Sequence, residues 1–120
     1  MPEMRKYTGG CHCGRVRFAV ETELKPVITC NCSICAKRGS LFTFVMPGAV
    51  EPVAGGDEDL TPYEFNNHVI THMFCPVCGI LPYAKGTRPD GQKMVAINVR
   101  ALEGVDLDAL EMTPFDGRGI

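Results

Sequence analysis

Three groups of cysteines carry most of the chemistry open to this sequence: Cys11-His12-Cys13, Cys30-Asn31-Cys32-Ser33-Ile34-Cys35 and Cys75-Pro76-Val77-Cys78-Gly79. The last is a C-x-x-C turn closing on glycine, a spacing that lets two thiolates and nearby amides converge on one cation. Thioredoxin-like redox sites share that spacing. They also need a helix opening at the first cysteine, and here Gly79 and Pro82 would stop it at once. Cys11 and Cys13 stand at i and i+2, which places both sulfurs on one side of an extended segment. The glycines at 9, 10 and 14 leave the backbone free to bend around an ion. One C-x-C and one C-x-x-C supply the four thiolates of a closed tetrahedral zinc. Cys11, Cys13, Cys75 and Cys78 are therefore expected to hold a structural zinc that joins distant parts of the chain.

That pairing uses four of the seven cysteines and leaves Cys30, Cys32 and Cys35 as a C-x-C-x-x-C group. Three protein ligands with a vacant fourth position is how catalytic zinc sites are built, so two zinc ions per chain are expected, one closed and one open. A histidine, His12, His68 or His72, closing the second site is the alternative reading, as is a partition that borrows one cysteine from a pair. A three-thiolate zinc carries net negative charge, which mutes its Lewis acidity. It suits a soft fourth ligand better than it suits splitting water, and an incoming thiol would be deprotonated on binding. The chemistry expected is thiol activation, with addition to a carbonyl as its use.

The elements that must position these groups read mostly as short strands. Val16, Phe18 and Val20 alternate along Arg15–Glu21, and Leu41–Met46 is β-rich and stopped by Pro47-Gly48. Thr61–Phe65 and His68–Phe74 look like a strand pair around an Asn66-Asn67 turn, and Met94–Val99 is a further apolar strand. Gly55–Asp59 is a surface loop by composition. Helix signals are weak: one turn over Ser33–Arg38, ended by Gly39, and a short helix over Val105–Met112, before Pro114. Phe42, Phe44, Phe65 and Phe74 are expected in the core. His68 and His72 are expected on a polar strand face, and Asn31 and Ser33 are read as loop residues, with hydrogen bonding to the sulfurs or a bound ligand the alternative. Lys37 and Arg38 are read as solvated charges at a helix end, with attraction of an anionic substrate the sharper alternative. Arg100 is either a pocket cation or a strand-end charge.

With 120 residues, 45% hydrophobic and 22% charged, the chain is long enough for one domain, expected to span 1–120, and too apolar for disorder. Seven cysteines is fewer than small disulfide scaffolds carry and is odd, which favours free or metal-bound thiols. A net charge of -2 gives no basic excess for nucleic acid. No apolar run approaches a membrane span, and the first residues lack the apolar stretch of a secretory signal, so a cytoplasmic protein is expected.

The order Gly9-Gly10-Cys11-His12-Cys13-Gly14, then Cys30 to Cys35, then Phe74-Cys75-Pro76-Val77-Cys78-Gly79, then Ile97-Asn98-Val99-Arg100 resembles the glutathione-dependent formaldehyde-activating enzymes, a family that includes centromere protein V-like proteins. The resemblance runs from about Gly9 to Gly117, with Phe115–Ile120 similar to the family's Asp-Gly turn. It implies a mainly β fold of twisted antiparallel sheets stapled by zinc, the Mss4-like β-tent. It also implies a structural zinc on Cys11, Cys13, Cys75 and Cys78, and a catalytic zinc on Cys30, Cys32 and Cys35. The activity implied is a carbon–sulfur lyase-type addition of glutathione, or a similar thiol, to a small aldehyde such as formaldehyde. Two readings compete with it. One is a non-catalytic, zinc-stabilised binding or chaperone-like module; the other is a chromatin binder, which lacks the basic stripe it would need.

Overall fold

In the computed structural model, which describes residues 4–64 and 70–115, ten strands form two sheets. Strands β1 (Arg5–Gly10), β2 (Arg17–Thr22) and β5 (Val50–Ala54) make a three-stranded antiparallel sheet in the order β1-β2-β5. The second sheet has seven strands: β3 (Val27–Cys30), β4 (Leu41–Val45), β6 (Thr61–Tyr63), β7 (Ile70–Phe74), β8 (Tyr83–Thr87), β9 (Lys93–Asn98) and β10 (Met112–Phe115). Their order is β10-β3-β4-β9-β8-β7-β6, antiparallel except where β10 runs parallel to β3. The expected mainly β, Mss4-like architecture is the one observed.

Period-two alternation explains how the sheets meet. In β4, Thr43 pairs with Ile97 and Val45 with Val95, while Tyr83 of β8 also pairs with Ile97. These residues occupy one face of the large sheet and are buried against Val16, Phe18 and Val20 of the small one. The Phe18 and Tyr83 rings meet edge to face with centroids 5.8 Å apart. The register puts Phe42, Phe44, Ala84, Ala96 and His72 on the opposite face. Helix α1 (Ser33–Arg38) covers part of it, where Cys35, Phe42 and Leu81 form a second small core with Ile34, Phe74 and Ala96 around them.

Three edge strands each contain a proline: Pro52 in β5, Pro62 in β6 and Pro114 in β10. A proline cannot donate to a further strand, so these edges resist accidental pairing.

Several expectations need correction. Val105–Met112 is not one helix: Leu107–Ala109 is a single 3-10 turn and Met112 already begins β10. Leu107 and Leu110 instead pack on the main core from an irregular segment. Phe44 is 50% exposed, not core: the small core on its face of the sheet gathers Phe42, Cys35 and Leu81 without it. His72 is buried rather than on a polar face, since Ala84 beside it belongs to the covered part of the sheet. Phe65, the Asn66-Asn67 turn, His68 and the tail from Asp116 lie outside the described residues.

Candidate metal centres

The Cys75–Cys78 turn follows β7 directly. The Gly79 amide donates to the Cys75 carbonyl at 2.8 Å, and the Cys75 amide donates to the Ile80 carbonyl at 2.9 Å. Gly79 has φ of 80°, the left-handed conformation that lets this turn close. Opposite it, Cys11 and Cys13 follow β1 in a turn rather than an extended segment, with the Gly14 amide on the Cys11 carbonyl at 3.3 Å. The glycine pair before them serves close packing: a Cβ on Gly9 would stand 2.4 Å from the Ala101 carbonyl oxygen, and one on Gly10 2.0 Å from that of Val16.

These two turns bring Cys11, Cys13, Cys75 and Cys78 together, with all four sulfurs within 4.8 Å of one another. The Cys11–Cys13 sulfurs are 3.5 Å apart and the Cys13–Cys75 sulfurs 3.6 Å. Four sulfurs around one tetrahedral zinc at bonds of about 2.3 Å would be separated by about 3.8 Å, so the set matches a metal cage and is far from the disulfide length. All seven cysteines are free thiols.

Backbone amides prepare the cage for negative charge. The Val16 amide donates to the Cys11 sulfur at 3.3 Å. That bond, with help from the Cys13 and Cys75 thiols, outweighs burial and lowers the Cys11 pKa. The Ile80 amide is the main cause that lowers Cys78 to about 6, aided by the Cys13 and His12 amides. Although the Arg15 amide pulls Cys13 down, burial and the neighbouring thiols push it up to about 11. Without a cation, the four sulfurs cannot all ionise; with one, they can.

Cys30, Cys32 and Cys35 form the second group, their sulfurs also mutually within 4.8 Å. Cys30 ends β3, Cys32 is the residue before α1, and Cys35 lies in the buried face of α1. The Cys32 amide donates to the Cys30 sulfur at 3.4 Å. Burial raises Cys35 and Cys30. For Cys32, burial is outweighed by the amides of Cys35 and Ile34 and by the adjacent thiols, so its pKa is lowered. Those amides close no cap hydrogen bond with the sulfur, yet they favour its thiolate. No histidine or carboxylate among the described residues joins this group, His12 and His72 included. Its donor chemistry fits a three-thiolate ion; the expected partition of the seven cysteines into four and three is the one the geometry gathers.

Ser33 is the first residue of α1 and is exposed. The Asn31 amide donates to the Phe115 carbonyl at 3.4 Å, tying the three-cysteine loop to β10. Arg38 lies over the Phe74 ring, 5.8 Å from its centroid. Arg100 donates from Nε to the Gly39 carbonyl at 3.0 Å.

Sequence reasoning missed a second polar cluster. The Tyr83 hydroxyl donates to Asp57 Oδ1 at 2.5 Å and Lys85 pairs with the other carboxylate oxygen. Burial raises the Tyr83 pKa and Asp57 reinforces it, so the phenol stays protonated. The cluster borders a cavity of about 420 Å³ between the two sheets, on the opposite face of the large sheet from the three cysteines. No spacing signal links Asp57 to Tyr83, because only the folded register brings them together.

Fold and sulfur sets together define a small, mainly β protein with two thiol clusters able to hold metal ions. The chain belongs to the glutathione-dependent formaldehyde-activating enzyme family, whose sequence model matches residues 6–113. It is also similar to a Rhodobacter sphaeroides protein whose crystal structure was a structural genomics target. That match has 33% identity and a TM-score of 0.75, covering 89% of this chain and 97% of that one. Among the described residues, no helix is long and apolar enough to cross a membrane.

Proposed function

We propose that the protein is a zinc-dependent carbon–sulfur lyase-type enzyme of one domain, working in the reducing cytoplasm. It adds glutathione or a similar thiol to a small aldehyde such as formaldehyde. Cys11, Cys13, Cys75 and Cys78 would hold a structural zinc, and Cys30, Cys32 and Cys35 a catalytic one. When bound at the three cysteines, zinc would supply a thiol-binding position and favour the thiolate near neutral pH.

The overall step balances simply. The thiol sulfur forms a bond to the aldehyde carbon, the carbonyl π bond breaks, and its oxygen takes the proton that the thiol gives up, yielding the S-hydroxymethyl adduct. The chain's own residues prepare that step in three ways. Cys30, Cys32 and Cys35 converge on one point from β3 and the start of α1. The amides of Cys35 and Ile34 favour charge at Cys32. Phe42, Leu81, Phe74 and Ala96 pack beside the cysteines and keep water from their inner side.

The observation that carries this reading is the three-cysteine group with no fourth protein donor among the described residues. The test measures S-hydroxymethylglutathione formation from carbon-13 formaldehyde by exchange NMR, with zinc counted per chain. Wild type should accelerate adduct formation over the uncatalysed rate and carry two zinc ions. Cys32→Ser should carry about one and lose the acceleration. Wild-type protein with full zinc and no acceleration would refute the enzymatic reading.

A further inference from the structure

Ion pairing is uneven over this molecule. Lys6, Arg15, Arg17, Lys25, Lys85 and Arg88 each have a carboxylate within 4.0 Å. Arg5, Lys37, Arg38, Lys93 and Arg100 have none among the described residues, and of these Arg38 and Arg100 are held by neutral partners. The Arg38 guanidinium rests on the Phe74 ring. Arg100 is fixed more completely: its amide donates to Asn98 Oδ1 at 3.2 Å and its Nε to the Gly39 carbonyl. Asn98 is itself anchored by its Nδ2 on the Leu81 carbonyl at 2.9 Å, inside the protein. The anchored Nε leaves the terminal nitrogens of Arg100 as a preset fork, the geometry that grips a carboxylate through two parallel hydrogen bonds.

Both guanidinium groups belong to the end of α1, the helix that carries Cys35. The Gly39 amide donates to the Cys35 carbonyl at 2.8 Å, and Arg100 holds the carbonyl of that same glycine. At about 1.5 Å of rise per residue, Arg38 begins only about 4.5 Å beyond Cys35 along the axis. The surrounding chain has no acidic residue from Leu24 to Val50, so this is a cationic corner of a protein whose net charge is -2. The Phe74 ring under Arg38 packs in the same small core as Cys30, Cys32 and Cys35, so that charge sits on the sheet face shared with the cysteines. A thiolate-rich centre repels an anionic substrate, so an anionic thiol needs a compensating cation close by.

We propose that Arg38 and Arg100 form a carboxylate receptor beside the three-cysteine group, and that it selects thiols carrying a carboxylate over neutral ones. This inference rests on the thiol-addition reading above. Glutathione has carboxylates on both arms flanking its thiol, and the receptor would take one of them while the sulfur reaches the cysteine site.

The experiment compares KM and kcat for glutathione with those for 2-mercaptoethanol, a neutral thiol, in wild type, Arg38→Gln, Arg100→Gln, Arg100→Lys and a remote control, Arg88→Gln. Zinc content and thermal melting establish that each variant is folded. The preference for glutathione, as a ratio of kcat/KM values, should fall about tenfold in Arg100→Gln through KM. It should fall in the same direction in Arg38→Gln, recover partly in Arg100→Lys and stay unchanged in Arg88→Gln. A ratio unmoved in both Gln variants, or an equal loss for both thiols, would overturn the proposal while leaving thiol addition intact. If wild type accelerates the reaction with neither thiol, the catalytic reading fails instead. Calorimetry with S-methylglutathione and its diethyl ester then decides the receptor alone. Binding of the free acid that is at least about tenfold tighter than the ester, and lost in Arg100→Gln, sustains it; equal binding of the two refutes it.

Discussion

Removing one ligand from each sulfur group should have unequal structural consequences, and the inequality can be worked out. Cys75 is fully buried and follows β7 of the seven-stranded sheet, while Cys11 and Cys13 follow β1 of the other. A metal there closes a loop of 62 residues between Cys13 and Cys75 and staples the two sheets together. Cys30, Cys32 and Cys35 lie within six consecutive residues, so a metal on them closes only a short loop. Loop-closure entropy scales as (3/2)RT times the logarithm of loop length, which gives the long-range staple about 2 kcal/mol more. At about 4 °C per kcal/mol for a chain of this size, Cys75→Ser should lower the melting temperature by about 8 °C more than Cys32→Ser does. Thermal unfolding followed by circular dichroism, on protein with its zinc counted, reads the difference. Equal losses, or a larger loss in Cys32→Ser, would refute the assignment of the structural role to the four-cysteine set.

Tyr83→Phe removes the hydroxyl that holds Asp57 and the loop between the sheets. With the Asp57 side chain 48% exposed, the loss should be about 1 kcal/mol, or about 4 °C in melting temperature, at constant zinc content; a change under about 1 °C would contradict it. Acid sensitivity should also appear near neutrality. Burial, then the Arg38 charge, hold the His72 pKa below its ordinary 6.5, so the folded chain resists a proton that the unfolded chain accepts. His72 therefore costs nothing well above pH 6.5 and destabilises the fold as pH drops below it, by up to about 1.4 kcal/mol per pH unit. Urea midpoints between pH 7.5 and 5.5 should fall less steeply in His72→Gln, and an unchanged slope would exclude this origin.

The cysteine partition was legible in the sequence because metal-ligand spacing is a local property: each turn must present its sulfurs whatever the rest of the chain does. The central strands β4 and β9 were legible for the same kind of reason, since Thr43, Val45, Val95 and Ile97 alternate toward a core. The β6–β7 pair was legible too, as Thr61–Phe65 against His68–Phe74. The edge strands β5 and β10 were not: Pro52 and Pro114 argue against strand in any window and make sense only once their place at a sheet edge is known. Leu107 and Leu110 have helical spacing but serve a 3-10 turn that leads into β10. Phe44 reads as core from its strand, yet the small core on that face gathers Phe42, Cys35 and Leu81 and leaves it exposed, a tertiary fact. The same holds for Arg100, whose role waits on the Asn98 and Gly39 contacts.

Zinc-edge X-ray absorption on the purified protein, with metal and protein counted on the same sample, tests the difference between the two sulfur groups most directly. With two zinc ions per chain, one on four cysteines and one on three, the average should be about 3.5 sulfurs per zinc, the remainder a light oxygen or nitrogen donor. An average of four sulfurs on a single zinc, with the other three thiols unbound, would contradict the account.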